Sequence, residues 1–325
     1  MIFKKIFYPE FYQGEKKKTG YFEGWYFKLV NKDRNYSVAL IPGISLNKTD
    51  SHSFIQLFVS KTVDNEVSLK RYYFRYDIKD FTYDSKEFSV SIKDNFFSKT
   101  KMKLNLSNEN IVFKTDIDAY GLTGIKNSIF TPNIMGFFGY LNFMECYHGI
   151  VSMTHSLSGF ININGEDVSF DEGKGYIEKD WGKSFPRNYV WLQTNHFYDD
   201  SASFLFSYAL IPFGVFNFNG LIVNLLIGKK EYRFATYNRA KIIYEEIKKG
   251  YVKYEIKKAS YRLTVEAFSD KEIDLPSPKN GAMIESIKEG LSGKIKITLF
   301  KKNNKIFEDT GYNAGIEIMK PYKNS

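Results

Sequence analysis

Two carboxylates set two residues apart form the most chemically suggestive pair in this 325-residue sequence. Glu178 and Asp180 lie in the run Gly-Tyr-Ile-Glu-Lys-Asp-Trp, among apolar and aromatic neighbours. On a β-strand their side chains would share one face, with Cα atoms roughly 6.5–7 Å apart. Such carboxylates repel each other in apolar surroundings, so one pKa rises, and a carboxylic acid that stays protonated can protonate an alkene. The structural alternative is that Glu178 pairs with a lysine on a neighbouring strand while Asp180 caps the turn at Gly182.

Two histidines are candidates for a general base. His148 and His155 are seven residues apart, so an unbroken strand would direct them to opposite faces. We therefore expect no metal ion between them, and the sequence has no other cluster of Cys and His that could bind one. His148 is the stronger candidate because Tyr147 and Glu145 lie beside it, and Glu145 joins the predicted catalytic set. A hydrogen-bonded core histidine is the alternative for either.

Aromatic side chains near these acids could stabilise a positive charge that develops on a substrate. Core packing is the more general explanation for any single tryptophan. Trp191 carries more weight, because strand alternation places it on one face with Gln193 and Asn195. The predicted substrate-binding residues are Glu23, Trp25, Tyr147, His155, Trp181, Trp191, Gln193 and Asn195.

The segments that carry these residues have the pattern of β-strands. Residues 147–163 alternate and end at Asn164-Gly165, a pair typical of a two-residue hairpin turn. Similar short runs, separated by turns rich in Asn, Asp, Ser and Lys, continue through the chain. Aromatic residues make up 18% of the chain, which favours strands. We predict an all-β fold of two tandem barrels or strongly curved antiparallel sheets, one in residues 1–142 and one in residues 143–325.

A repeated motif suggests how the two halves are related. Gly-Tyr-Phe-Glu-Gly-Trp at residues 20–25 resembles Gly-Tyr-Ile-Glu-Lys-Asp-Trp at residues 175–181, with one extra residue before Trp in the second copy. We interpret the motif as a trace of duplication in which each copy opens one barrel. Chance similarity between two strand starts is the alternative.

Composition and charge narrow the classes of function. The net charge of +9 is spread along the chain, which indicates a solvated lysine-rich surface. Transient contact with an anionic membrane surface that supplies a lipid is the alternative. No nucleic-acid-binding signature accompanies the charge, so we predict no nucleic-acid partner. No glycine-rich phosphate loop follows a strand, so nucleotide chemistry has no support. The single cysteine excludes an intrachain disulfide and the first residues do not resemble a signal peptide, so we expect a cytoplasmic protein.

Six blocks, in order along the chain, resemble the tocopherol cyclase family. They are GYFEGWYFK at 20–28, FMECYHGIVSMTHSLSG at 143–159, GYIEKDWGKSFP at 175–186, WLQTNHF at 191–197, IESIKEGLSGKIKITLF at 284–300 and AGIEI at 314–318. The resemblance implies a calycin-like fold related to lipocalins and to carotenoid hydratases. It also implies a hydrophobic substrate, a prenylated aromatic compound or related isoprenoid lipid.

The resemblance further implies a reaction. A prenyl double bond is protonated, and a phenolic oxygen captures the cation to close a chromanol ring. This isomerisation is redox-neutral, so we predict no cofactor. Two alternatives stay open: a carrier that binds lipid without chemistry, and a hydratase of the same fold that adds water to the cation. An enzyme is the preferred interpretation.

Overall fold

The alternation of apolar and polar residues along most of the chain produces β-strands throughout. In the computed structural model, which describes residues 2–320, strands account for 67% of the chain and helices for 5%. A typical globular protein has roughly 20–25% strand, so the predicted all-β, lipocalin-like fold is confirmed. The helices are short: α1 (Ile2–Phe7) and four single 3₁₀ turns at Gly14–Lys16, Ile78–Asp80, Gly136–Tyr140 and Thr236–Asn238. None of the helices described has the length and hydropathy needed to cross a membrane.

The chain forms two units, and the first contains Met1–Phe185 and Pro276–Glu285. Its strands are β1 (Tyr21–Val30), β2 (Tyr36–Leu46), β3 (His52–Val63), β4 (Glu66–Asp77), β5 (Phe81–Tyr83), β6 (Ser89–Ile92), β7 (Asn95–Ser98), β8 (Lys101–Asn108), β9 (Ile111–Thr123), β10 (Cys146–Ile163), β11 (Glu166–Ser169) and β12 (Lys174–Gly182). They form one antiparallel sheet in the order β4-β3-β2-β1-β12-β10-β9-β8-β7-β6-β5, with β11 paired to β10.

This sheet curls around a single hydrophobic core. Trp25, Phe27 and Leu29 alternate along β1 and all enter the core, as period-two spacing predicts. Ile55 on β3 and Val90 on β6 belong to the same core cluster although their strands lie near opposite ends of the sheet. The two ends of the sheet therefore approach each other, as in a barrel.

The second unit contains Pro186–Leu275 and Ser286–Ser325. The strands that follow β12 are β13 (Tyr189–Thr194), β14 (Ala202–Phe213), β15 (Phe216–Ile227), β16 (Lys230–Ala235), β17 (Lys241–Lys248), β18 (Tyr251–Lys258), β19 (Tyr261–Phe268), β20 (Ile273–Lys279), β21 (Ala282–Lys301) and β22 (Asn304–Ile318). The sheet order is β16-β15-β14-β13-β22-β21-β19-β18-β17, with β20 paired to β21. Phe206 on β14 and Tyr254 on β18 pack with ring centroids 4.8 Å apart, so this sheet is curved as well.

The division into units differs from the predicted boundary between residues 142 and 143. Strands β10 and β12 both lie beyond that boundary, yet β10 pairs with β9 and β12 pairs with β1. These backbone ladders place both strands in the first unit, which continues to Phe185. The sequence could not show this, because pairing partners so far apart leave no local signal.

The repeated motif has a different meaning from the one predicted. Residues 20–25 lead into β1 and residues 175–181 form most of β12, and these two strands pair with each other in one sheet. The second copy therefore joins β1 to β10 inside the first sheet and does not open another barrel. A repeat does exist at the level of topology, because each sheet runs through four consecutive strands in reverse order and then pairs the first of them with a strand from much later in its unit.

The predicted hairpin at Asn164-Gly165 is confirmed. Strands β10 and β11 pair from Ile163 and Glu166 onward, which leaves two residues in the turn. Both have positive φ, 53° for Asn164 and 92° for Gly165. A two-residue turn with positive φ at both positions matches the twist of antiparallel strands, and Asn-Gly adopts it readily.

Candidate functional site

Strand β12 lies between β1 and β10 and presents different chemistry on its two faces. Tyr176, Glu178 and Asp180 alternate along one face, and the Tyr176 hydroxyl donates a hydrogen bond to Oε2 of Glu178 over 2.5 Å. The residues between them include Ile177, which enters the hydrophobic core of the first unit on the opposite face. The strand therefore separates a polar face from a core face.

His148 on β10 completes a cluster on the polar face. It lies directly opposite Asp180 in the strand register. Its Nδ1 is 2.8 Å from Oδ1 of Asp180, and its Nε2 is 3.5 Å from Oε2 of Glu178. The three side chains expose 13% (His148), 5% (Glu178) and 26% (Asp180) of their surface, so Asp180 is the most accessible to a substrate. Three of the four predicted catalytic residues are thus in contact.

The two carboxylates determine the charge of the imidazole. Burial alone would lower the pKa of His148, but the charges of Asp180 and Glu178 outweigh it and raise the pKa to about 9. His148 is therefore an imidazolium at neutral pH, and its positive charge offsets the repulsion between the carboxylates. The sequence suggested that a carboxyl group would hold the proton, whereas here the imidazole holds it.

This protonation makes stability depend on pH. A pKa raised from 6.5 to about 9 means that the stabilisation from His148 is complete below pH 6.5 and is lost as the pH rises through 9. The expected loss is about 3 kcal/mol, at about 1.4 kcal/mol per pKa unit. Urea unfolding of wild type and His148→Gln at several pH values between 6 and 10 would measure it. The difference between the two proteins should shrink as the pH rises, and a constant difference would contradict the assignment.

Tyr176 is a further site residue, for which the sequence predicts no role. It is fully buried, and burial together with the charge of Glu178 raises its pKa well above the usual value. The hydroxyl therefore stays protonated and donates to Glu178. Its spacing of two residues from Glu178 was the available signal.

Glu23 and Trp25 lie on the core face, away from His148. Lys179 forms an ion pair with Glu23, and both side chains have 0% exposure. The Lys179 ammonium also lies 4.7 Å from the centroid of the Trp25 ring and 4.8 Å from that of Trp181. Glu23 and Trp25 therefore belong to a buried charge cluster around Lys179. The sequence did not predict this cluster, because a lysine between two site carboxylates has the pattern of an exposed residue.

The same cluster fastens the chain that precedes β1. Lys179 Nζ donates to the carbonyl oxygens of Pro9 (2.8 Å) and Phe11 (2.6 Å). The backbone N–H of Gln13 donates to Oε1 of Glu23 over 2.8 Å. Every one of these bonds involves a charged side chain inside the first unit, so the ion pair connects β1, β12 and the N-terminal segment.

The remaining predicted residues of the first unit are not joined to His148. Tyr147 stacks on Trp181 with centroids 5.4 Å apart, on the core side of β10 and β12. His155 is buried against Gly175, and its Nδ1 is 3.0 Å from Oγ of Ser152; burial lowers its pKa to about 4, so it is neutral.

Glu145 precedes β10, and its backbone carbonyl accepts a hydrogen bond from the N–H of Lys183. Among the described residues its carboxylate is not part of the cluster formed by His148, Glu178 and Asp180.

The close approach of His155 to Gly175 requires glycine, because a Cβ there would lie 2.1 Å from Nε2 of the imidazole. His155 therefore has the features of a core histidine.

Trp191, Gln193 and Asn195 belong to the second unit. Val190 and Leu192 enter its core, so Trp191 and Gln193 lie together on the other face of β13, as alternation predicts. All three predicted side chains are buried, and Asn195 follows directly after the end of β13.

A cleft of about 440 Å³ in the second unit does not suit an apolar ligand. Charged and polar groups line it: Lys249, Gly250, Ser269, Asp270, Glu272, Asp274 and Lys288. A site for a lipid is mainly apolar with few polar groups, so this cleft is not a candidate for the predicted hydrophobic substrate.

The cluster on the polar face could also hold a metal ion. One ligand atom each of His148, Glu178 and Asp180 lies within 4.8 Å of the others, and imidazole with carboxylates suits a divalent transition metal. The 2.8 Å separation of Nδ1 and Oδ1 is that of a direct ion pair, which accounts for the cluster without a metal. The expectation from the sequence that the protein needs no metal and no cofactor stays a prediction, and treatment with a chelator would test the metal.

Comparison with known proteins places the fold and the family. CghA has a TM-score of 0.59 at 8% identity and covers 95% of this chain and 90% of its own. Kievitone hydratase from Nectria haematococca has a TM-score of 0.52 at 11% identity and covers 93% of this chain and 90% of its own. At such identities these similarities show the fold alone.

Sequence comparison finds matches that cover less of the chain than the structural matches do, but it identifies the family. Tocopherol cyclase from Zea mays is 41% identical over 51 residues, which cover 15% of this chain and 11% of the maize protein. The rice protein (Oryza sativa subsp. japonica) matches to the same extent, so the chain spans about a tenth of the length of these plant relatives. The model of the tocopherol cyclase-like family matches residues 109–319, which include β10, β12 and the whole His148 cluster. The chain therefore belongs to the tocopherol cyclase-like family.

Proposed function

We propose that this protein is a cyclase that closes an oxygen-containing ring on a prenylated phenol or related isoprenoid lipid. Family membership and the fold it shares with a hydratase support an enzyme of the cyclase and hydratase type. The observation that carries the proposal is the imidazolium of His148 held between Asp180 and Glu178. This arrangement fixes one proton beside two groups that can exchange it, as general acid–base chemistry requires.

The reaction is balanced without any other reagent. One alkene carbon gains a proton, the neighbouring carbon forms a bond with the phenolic oxygen, and the phenolic proton returns to the protein. The product has the same formula as the substrate. The cluster can both supply and accept a proton, because its acidic and basic groups are linked by hydrogen bonds. His148 lies within hydrogen-bonding distance of Asp180, and Tyr176 donates a hydrogen bond to Glu178.

The exposure of Asp180 also fits this role. Gly24 on β1 lies opposite Asp180 in the register, on the side away from His148. Glycine has no side chain, so the more exposed of the two carboxylates has no β1 side chain directly opposite it. The nearest side-chain atom there is Cγ2 of Ile41 on β2, 3.2 Å from the position that a Cβ of Gly24 would take. We infer that the substrate approaches the cluster from Asp180.

The first experiment measures products formed in deuterated water. Prenylated hydroquinones and linear isoprenoids are incubated with the protein, and products are separated by chromatography and analysed by mass spectrometry. Ring closure should yield a product that carries one carbon-bound deuterium and is otherwise isomeric with the substrate. A chelator should leave the rate unchanged; loss of turnover that added zinc restores would replace the acid–base assignment with a metal site.

Two other functions predict different products. A hydratase would yield a compound heavier by one water molecule, and the fold shared with kievitone hydratase makes it the second candidate. A carrier would retain the lipid unchanged, and wild type would then show saturable quenching of tryptophan fluorescence without turnover of any substrate. Cytoplasmic location and membrane contact stay predictions.

A further inference from the structure

An exposed apolar surface lies on the segment that connects β9 to β10. Its large side chains point outward: Ile129 is 73% exposed, Phe130 82%, Phe143 58%, Phe137 50% and Tyr140 39%. Single exposed apolar residues are common, but five within 15 positions form a patch that calls for an explanation. We call Ile129, Phe130, Phe137, Tyr140 and Phe143 the apolar patch.

The patch is held in place by hydrogen bonds. Ser128 and Thr131 exchange backbone hydrogen bonds of 3.0 and 3.1 Å, and their hydroxyl oxygens are 2.8 Å apart. The Tyr140 hydroxyl donates to the carbonyl of Ile129 over 2.6 Å. The tight turn therefore fixes Ile129 and Phe130 at its tip, and a fixed apolar tip loses little conformational entropy when it binds.

The charge of this region favours a lipid surface over a polar partner. Lys126 is the only charged residue between positions 119 and 144, although charged residues make up 26% of the whole chain. Such a stretch can enter the boundary between headgroups and acyl chains without burying a charge. The net charge of +9 favours anionic over neutral lipids as the surface that the protein approaches.

The inner side of the same segment covers the candidate site. The backbone N–H of His148 lies 3.3 Å from Sδ of Met135, and the Tyr147 hydroxyl donates to the carbonyl of Leu141 over 2.7 Å. One short segment thus contacts the strand that carries His148 and presents aromatic residues to the outside.

We propose that the apolar patch docks the protein on an anionic bilayer surface, from which a lipid substrate reaches the His148 cluster. The supply of substrate rests on the proposed function, whereas docking itself does not. The surface contact is peripheral: Phe and Ile side chains enter the headgroup boundary, and Tyr140 lies at the polar level as amphipathic aromatic residues do.

The test compares flotation with vesicles of phosphatidylcholine alone and of phosphatidylcholine with phosphatidylserine. Wild type should float with the anionic vesicles, and the double variant Ile129→Ser, Phe130→Ser should lose at least tenfold in partitioning. Ile284→Ser is the control for loss of an exposed apolar side chain, because Ile284 is 72% exposed and is not one of the five patch residues, and it should float like wild type. Circular dichroism should be the same for all three proteins.

Several outcomes would overturn the proposal. Equal flotation of wild type and the double variant would remove the patch from membrane binding, as would a wild type that stays with the solution. A concentration-dependent dimer that the double variant dissociates would assign the patch to contact between two copies of the chain. If the protein has no turnover at all, flotation still tests docking. If it has turnover, the turnover rate of the double variant should be lower than that of wild type only when the substrate is presented in vesicles.

Discussion

Asp180→Asn is expected to lower the rate of ring closure by about 10²–10⁴-fold, the usual contribution of a positioned acid or base. Asparagine keeps the size of the side chain and can still accept a hydrogen bond from Nδ1 of His148, but it removes the negative charge. Asp180 is the first of the two charges that raise the pKa of His148, so its loss lowers that pKa and the imidazole releases its proton at a lower pH. Lipid retention should change little, because apolar contacts supply most of the affinity.

The pH profile separates this role from a purely structural one. In wild type the activity should fall as the pH rises through about 9, and in Asp180→Asn the fall should occur at lower pH. Glu178→Gln should shift the profile in the same direction. Asp118→Asn is the matched control: this carboxylate lies in the same sheet, is 57% exposed and pairs only with surface lysine in the contacts described. An Asp180→Asn protein with full activity and an unshifted profile would transfer the role to Glu178 or His148.

Lys179→Met should destabilise the first unit by about 3–5 kcal/mol, because it leaves the Glu23 carboxylate charged and without its ion-pair partner inside the core. Burial lowers the pKa of Lys179 although Glu23 opposes this effect, which shows how strongly the surroundings disfavour an isolated charge. The carbonyl groups of Pro9 and Phe11 would also lose their donor. Urea unfolding followed by tryptophan fluorescence would measure the change.

A double variant distinguishes loss of the pair from loss of packing. Lys179→Met combined with Glu23→Gln removes both charges and should recover part of the stability, since well-packed neutral residues often replace a buried pair at little cost. Lys32→Met is the control, because Lys32 and Glu172 form an ion pair of 2.8 Å with side chains 61% and 72% exposed, and such pairs contribute little. A single variant as stable as wild type would show that the buried pair is not needed for folding.

Much of the fold could be predicted because it depends on local periodicity. The alternation of residues 147–163 predicted the strand β10, and Asn164-Gly165 predicted its turn, since both follow from the geometry of neighbouring residues. The shared face of Glu178 and Asp180 was predicted for the same reason. The boundary between units was wrong, because it depends on which distant strands pair and not on any local pattern.

The cluster brings together three of the four residues predicted to be catalytic, whose role stays a prediction, but its proton lies on His148 and not on a carboxyl group. His148 and Asp180 lie opposite each other because of the register between β10 and β12. This register changes near Ile150 and Ser152, and no sequence pattern predicts such irregularities. The proton could not be assigned to His148 without the distances to both carboxylates. Lys179 was missed since its partner Glu23 lies on another strand, and a buried lysine is rare.

The pairing of β1 with β12 also has a consequence for the order of folding during synthesis. Phe22 pairs with Gly182, 160 positions later, so the ribosome must release nearly two hundred residues before this edge of β1 can be covered. Until then an apolar strand offers open backbone donors and acceptors to any other chain, which is a risk for aggregation. The barrel is therefore expected to close late and slowly, and fragments that end before β12 should be insoluble unless a chaperone holds them.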